Sequence, residues 1–173
     1  QRVQVVHPGV AFPDRMPSKQ IIAAFRRRHG IEGRPVLLSV GRMTERKGLR
    51  EFVMAAMPSI LRVHPDAVLM VIGDEAPNAL AGSASGAWAR LLDDAKGAGL
   101  DGALLHLGAL DDDQLAVAYA SSDLHVFPVR EVPGDVEGFG MVAIEAAAYG
   151  LPTVAFAVGG VPDAVSDQVT GHL

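Results

Sequence analysis

Two glutamates eight positions apart, Glu137 and Glu145, bracket the segment Gly138-Phe139-Gly140-Met141-Val142-Ala143-Ile144. Glycines at 138 and 140 let the backbone approach a ligand closely. A helix opening there presents unpaired N–H groups and the positive end of its dipole to an anion. Carboxylates on either side accept hydrogen bonds from hydroxyls. Together these groups suit a phosphorylated, hydroxyl-rich ligand such as a sugar nucleotide, whose diphosphate lies between ribose and hexose. A second cluster, Gly41-Arg42-Met43-Thr44-Glu45-Arg46-Lys47-Gly48, places Arg42 and Lys47 at a strand end and in the turn before the next helix. Two cations there can neutralise a diphosphate. Each cluster alone has a plainer reading, a solvated basic turn in one case and surface carboxylates of an acidic chain in the other. Their position on one edge of one sheet favours the ligand reading.

That shared edge follows from the elements. Short runs rich in valine, leucine and isoleucine recur at Val3–Val6, Val36–Val40, Val68–Ile72, Ala103–Leu107, Leu124–Phe127 and Thr153–Phe156, as in strands buried on both faces. Leu49, Phe52, Val53, Ala56, Met57, Ile60 and Leu61 follow the spacing of one helix face, with Pro58 expected to kink it. Ser18 is placed to cap a helix carrying Ile21, Ile22 and Phe25, and Trp88, Leu91, Leu92 and Ala95 mark another. Asp111 to Asp113 can start one carrying Leu115, Ala118 and Tyr119. The alternation predicts an α/β domain: a Rossmann-like, mainly parallel sheet with helices on both faces, binding ligands beyond the carboxyl ends of its strands. Gly41, Gly73, Gly108, Pro128 to Glu137 and Gly159-Gly160 all follow strand runs and fall on that edge. Ala76 to Gly86 reads as a mobile surface loop, and a further strand is expected to begin at the chain's last residues, Thr170 to Leu173.

Composition removes other classes. A chain of 173 residues with 49% hydrophobic and 20% charged residues is sized for one well-buried domain. The formal net charge of −5 argues against a general nucleic-acid partner, and the absence of cysteine excludes disulfides and thiolate metal sites. No apolar run reaches the ~20 residues of a membrane helix and nothing resembles a signal peptide, so a cytoplasmic protein is expected. The six histidines share no ligand spacing, and only His7, in His7-Pro8-Gly9, falls on the ligand edge. Asp111 to Asp113 fits a helix cap better than a metal site. Gly138-x-Gly140-x-x-Ala143 matches a dinucleotide fingerprint, with Asp163 twenty residues beyond Ala143. The context disagrees, because residues 128 to 137 separate it from its strand and it comes late in the chain. A P-loop is missing.

The assembled motifs are His7-Pro8-Gly9-Val10, Ser39-Val40-Gly41-Arg42 with Lys47-Gly48, Val71-Ile72-Gly73-Asp74, Leu107-Gly108, Ser122-Asp123 with Val126-Phe127-Pro128, Glu137 to Glu145, Gly150-Leu151-Pro152 and Gly159-Gly160-Val161-Pro162. In this order they resemble the C-terminal half of retaining glycosyltransferase family 4, also called glycosyl transferases group 1, along essentially the whole chain. Asp135-Val136 in the insertion Val129–Val136 resembles bacterial mannosyltransferases acting on lipid or polysaccharide acceptors.

The resemblance implies half of a two-domain GT-B enzyme, with residues 1–173 as the nucleotide-sugar-binding C-terminal domain. The N-terminal acceptor domain and a final C-terminal helix would be absent. It implies that Arg42 and Lys47 hold the diphosphate in place of a metal, with no cofactor. The N–H groups of Gly138, Phe139, Gly140 and Met141 would meet phosphates or sugar, Glu137 the hexose hydroxyls, Glu145 the ribose, and backbone from Leu107 to Leu110 the base. The donor would be a UDP- or GDP-hexose. A lipid-linked or saccharide acceptor would be brought by the other domain, with the full-length enzyme peripheral to the inner face of the membrane. The family's Gly-Gly-x-x-Glu reads here as Gly159-Gly160-Val161-Pro162-Asp163, with a shorter acid. A sugar-nucleotide epimerase of the same fold, or a non-catalytic nucleotide-binding module, are the competing readings, and fold alone does not choose among them.

Overall fold

A computed structural model describes residues 3–4, 6–75 and 86–173. Six strands, β1 (Val36–Val40), β2 (Val68–Ile72), β3 (Leu104–His106), β4 (Leu124–Phe127), β5 (Thr153–Ala155) and β6 (Gly171–His172), form one sheet in the order β3-β2-β1-β4-β5-β6, with every pairing parallel. The helices are α1 (Lys19–Arg28), α2 (Leu49–Ala55), α3 (Met57–Val63), α4 (Ala87–Gly97), α5 (Asp112–Ala120), α6 (Met141–Ala148) and α7 (Val161–Ala164). Along β2 the side chains alternate between two cores. Leu69 and Val71 pack with Val53, Met57, Leu91 and Ala95 of α2, α3 and α4, whereas Val68, Met70 and Ile72 face Ala118, Tyr119 and Ala146 of α5 and α6. All five β2 residues are buried, which is why the run carries no polar position.

The sequence-derived elements hold with four corrections. Among the described residues, Val3–Val6 forms no strand: Val3 and Val6 are 88% and 79% exposed, so no core rewards extending the sheet there. The expected run Ala103–Leu107 is shorter at both ends, Ala103 belonging to a 3-10 turn ahead of β3 and Leu107 lying past it, and Phe156 lies outside β5, 63% exposed. Pro58 does more than kink its helix: α2 and α3 are separate, breaking at Ala56, because proline at the start of α3 has no N–H to continue the ladder. Ser18 Oγ accepts from the Ile21 N–H at 3.3 Å and Asp111 Oδ1 from the Gln114 N–H at 2.8 Å, both as expected of caps. The expected loop from Ala76 lies outside the described residues up to Ser85, and β6 starts where the sequence placed a new strand.

Candidate functional site

The loops after β1, β2, β3, β4 and β5 gather at the carboxyl edge of the sheet. The Met43 N–H donates to the Asp74 carbonyl at 3.0 Å, the Gly73 N–H to the Gly108 carbonyl at 2.9 Å, and the Ala109 N–H to Asp74 Oδ1 at 3.1 Å. Three loops are thereby tied in line. On the other side the Gly160 N–H donates to the Glu137 carbonyl at 2.9 Å, and a Cβ on Gly160 would sit 2.0 Å from the Gly138 carbonyl oxygen. Only glycine permits this approach, which fixes the Glu137–Gly138 backbone. Gly140 then takes a φ of 95° as the N-cap of α6, against the Phe127 ring.

Glu137 is the most constrained carboxylate of the site, 9% exposed. Its Oε2 accepts from Lys47 Nζ at 2.9 Å and from the Arg46 guanidinium, whose Nε donates to Asp135 at 2.9 Å. Lys47 also rests over the Phe127 ring, 4.6 Å from its centre. Burial foremost, with neighbouring Arg46 and Arg42, pushes the Lys47 ammonium below its usual range, against the hydrogen bond and charge of Glu137. Arg42 is exposed and forms no ion pair among the described residues.

The N–H groups of Phe139, Gly140, Met141 and Val142 donate to no protein acceptor among the described residues, whereas that of Ala143 is spent on the Gly140 carbonyl at 2.9 Å. The His7 ring stacks on Phe139, centroids 5.4 Å apart, so the histidine singled out by its sequence position does reach this edge. Glu145, one turn into α6, accepts from the Tyr119 hydroxyl at 2.8 Å. Tyr119 stacks on Tyr149 at 5.4 Å and its hydroxyl is held well above its usual pKa by burial and by Glu145, so it donates as a neutral phenol. At Leu107 to Leu110, the Leu107 N–H is spent on the Val71 carbonyl and that of Ala109 on Asp74, leaving Gly108 and Leu110 N–H groups without protein acceptors among the described residues. Leu110 packs its side chain against the α5-side core.

The structure thus brings Glu137 and Lys47 into contact across 90 residues of sequence and places Arg42, the α6 N-terminus, Glu145 and Leu110 on the same sheet edge. Sequence reasoning passed over Arg46 and Asp135 as site residues. The available signal was the alternation Asp135-Val136-Glu137, which puts two carboxylates on one side of an extended segment, with Val136 turned out and 70% exposed. Between the two ends lies His125 of β4, fully buried, with Nδ1 3.0 Å from Thr153 Oγ1 and its ring stacked on Phe127. Burial, with a smaller push from Lys47, holds its pKa down to about 3. No helix among the described residues is long and apolar enough to cross a membrane, and no group of three or more potential metal ligands forms among them.

Residues 21–173 match the family model for glycosyl transferases group 1. A D-inositol 3-phosphate glycosyltransferase of Segniliparus rotundus is 36% identical over 100% of this chain and 36% of its own length. A GDP-mannose-dependent alpha-(1-6)-phosphatidylinositol monomannoside mannosyltransferase of Mycolicibacterium smegmatis is 31% identical over 96% of this chain and 41% of its own. The chain therefore spans well under half the length of these relatives. Among solved structures, Anabaena HepE in complex with UDP-glucose superposes with a TM-score of 0.80 at 24% identity, covering 98% of this chain and 43% of that one, which shows the shared fold. With most of its length inside the family model and its parallel α/β sheet common to such enzymes, the chain belongs to the glycosyl transferases group 1 family.

Proposed function

We propose that this chain is the donor-binding, C-terminal domain of a hexosyltransferase that moves a sugar from a UDP- or GDP-hexose to a hydroxyl acceptor with retention of configuration. The observation that carries it is the meeting of Lys47 with Glu137 beside the N-terminus of α6, with the exposed Arg42, which forms no ion pair among the described residues, close enough to act on Lys47. As the glycosidic bond breaks, negative charge grows on the diphosphate leaving group. Fixed cations and N–H donors stabilise that charge more in the transition state than before it. Arg42 and Lys47 take the diphosphate together with the N–H groups of Phe139, Gly140 and Met141. Glu137 takes hexose hydroxyls, Glu145 the ribose, and peptide groups at Gly108 and Leu110 the base. The cations stand where other enzymes use a divalent metal, so the reading includes metal-independent binding.

The GDP-mannose dependence in the name of the Mycolicibacterium smegmatis relative supports a guanine nucleotide donor, and the inositol 3-phosphate and phosphatidylinositol monomannoside in the two relatives' names support an inositol-containing acceptor. The test is a thermal-shift panel of UDP-, GDP- and ADP-sugars, with and without a chelator. A ligand bound only by the folded state raises the melting temperature with its concentration. A UDP- or GDP-sugar is expected to raise it equally with and without chelator. No shift with any nucleotide refutes donor binding, and a shift abolished by chelator and restored by magnesium refutes the roles of Arg42 and Lys47.

A further inference from the structure

Glu137 Oε2 is held twice, by Lys47 and by Arg46, and the two cations are held very differently. Arg46 is 8% exposed, its Nε donates to Asp135 at 2.9 Å, and its own carbonyl accepts from the Arg130 N–H at 2.9 Å. The Arg130 guanidinium in turn bridges Glu45, at 2.6 Å, and Glu51. Arg46 is therefore built in through both side chain and backbone. The Lys47 backbone N–H donates to the Thr44 carbonyl at 3.1 Å, but its ammonium has one hydrogen bond among the described residues, to Glu137, and otherwise lies on an aromatic ring.

A carboxylate this buried requires a counter-ion, and removing a lone partner strands its charge at high cost. If Lys47 were that lone partner, it could turn to a diphosphate only by stranding Glu137. We propose that Arg46, anchored by Asp135, is the resident counter-ion of Glu137, and that its presence is what leaves Lys47 free to engage the donor's diphosphate. Arg46 is on this assignment a positioning residue: it touches neither sugar nor phosphate and acts through Glu137 and Lys47. The inference rests on the donor-binding reading above.

The experiment titrates UDP and GDP into the 173-residue protein by calorimetry. Arg46→Gln leaves Lys47 as sole counter-ion and is expected to weaken the better-bound nucleotide about tenfold, the scale of one charge-assisted hydrogen bond. Arg46→Lys recovers most of the loss. In a Glu137→Gln background Arg46→Gln costs nothing further, because Lys47 then has no carboxylate to hold it. A general structural role for Arg46 would give the same loss in both backgrounds, and that result, or no loss in either, overturns the proposal. Asp135→Asn, a gentler change, gives a smaller loss, about threefold, that Glu137→Gln also relieves; it serves where Arg46→Gln does not fold. A ligand-free readout separates this inference from the donor reading: NMR titration of the Lys47 amine, whose pKa rises in Arg46→Gln as a like charge leaves and Glu137 turns to it alone. An unchanged Lys47 titration overturns the counter-ion assignment, whereas wild-type protein that binds neither nucleotide while showing the Lys47 shift overturns the donor reading and the release to diphosphate with it.

Discussion

Glu137 and Glu145 bracket one helix N-terminus, yet the protein stabilises them by opposite means. Glu137 sits in an ionic cluster with Arg46 and Lys47, and its carboxylate is charge-compensated before any ligand arrives. Glu145 accepts one hydrogen bond from a neutral phenol and keeps lone pairs free on a partly exposed carboxylate. A hydroxyl can therefore be added at Glu145 without breaking an existing contact. At Glu137 a ligand must share or displace a cation, so binding there is coupled to the rearrangement of Lys47. The two ends of the site differ less in residue type than in what surrounds an identical carboxylate.

The largest expected effect breaks the comparison at the level of stability. Glu137→Ala leaves Arg46 and Lys47 near a vacated buried site and is expected to cost about 3–5 kcal/mol, the range for breaking a buried ion pair from one side. Glu145→Ala leaves only the Tyr119 hydroxyl without its acceptor, for about 1–3 kcal/mol. Urea denaturation of the two variants measures both. Equal losses would mean that the ionic cluster is screened by water and that the two carboxylates are structurally alike.

A second effect comes from His125, which lies between the two ends, stacked on Phe127 beneath Lys47 and edge-on to Tyr119 at 6.5 Å. Its pKa is about 3 in the folded chain against 6.5 for the ordinary value. Between these values the unfolded chain binds a proton that the native fold excludes, so stability is full above about pH 6.5 and falls as pH drops toward 3, by about 1.4 kcal/mol per unit. Comparing the pH dependence of the urea midpoint between wild type and His125→Asn isolates this contribution from that of the carboxylates. A wild-type slope between pH 6.5 and 5 no steeper than the variant's would show that His125 protonates in the fold.

The apolar runs of β1, β2 and β4 and the caps at Ser18 and Asp111 were legible in sequence because each rests on local chemistry: burial on both faces, or one side chain bonding an N–H three residues on. Val3–Val6 has the same local pattern and misled, since nothing in four residues says whether a sheet edge and a cover are available. The glycine loop and its two glutamates could be found by spacing. That Arg46 would close on Glu137 could not, because the contact joins residues 91 apart and depends on how the 3-10 turn before Gly48 orients successive side chains. Arg46 and Lys47 read from sequence as one basic turn, and only the packing of loop 128–137 over that turn separates a built-in cation from a loosely held one.

The smallest effect sharpens the comparison by ligand. On the proposed assignment Glu145 faces the ribose, so Glu145→Gln is expected to weaken a free nucleoside diphosphate and its sugar nucleotide alike, by about 1 kcal/mol for the lost hydroxyl contact. Glu137→Gln acts in two directions. On the same assignment it removes an acceptor for the hexose, again about 1 kcal/mol, but would release Lys47 toward the diphosphate, which benefits both ligands. The free nucleoside diphosphate, lacking the hexose, feels only the release and is expected to bind as well as or better than to wild type, while the sugar nucleotide loses part of that gain. The quantity to measure is the ratio of the two affinities in each variant, by calorimetry under one buffer and salt. Glu145→Gln should leave the ratio unchanged and Glu137→Gln should shift it about fivefold toward the free nucleotide, the ratio equivalent of 1 kcal/mol. A ratio that moves equally in both variants would place ribose and hexose at the same carboxylate and undo the division of the site into a cation-tied end and a phenol-held end.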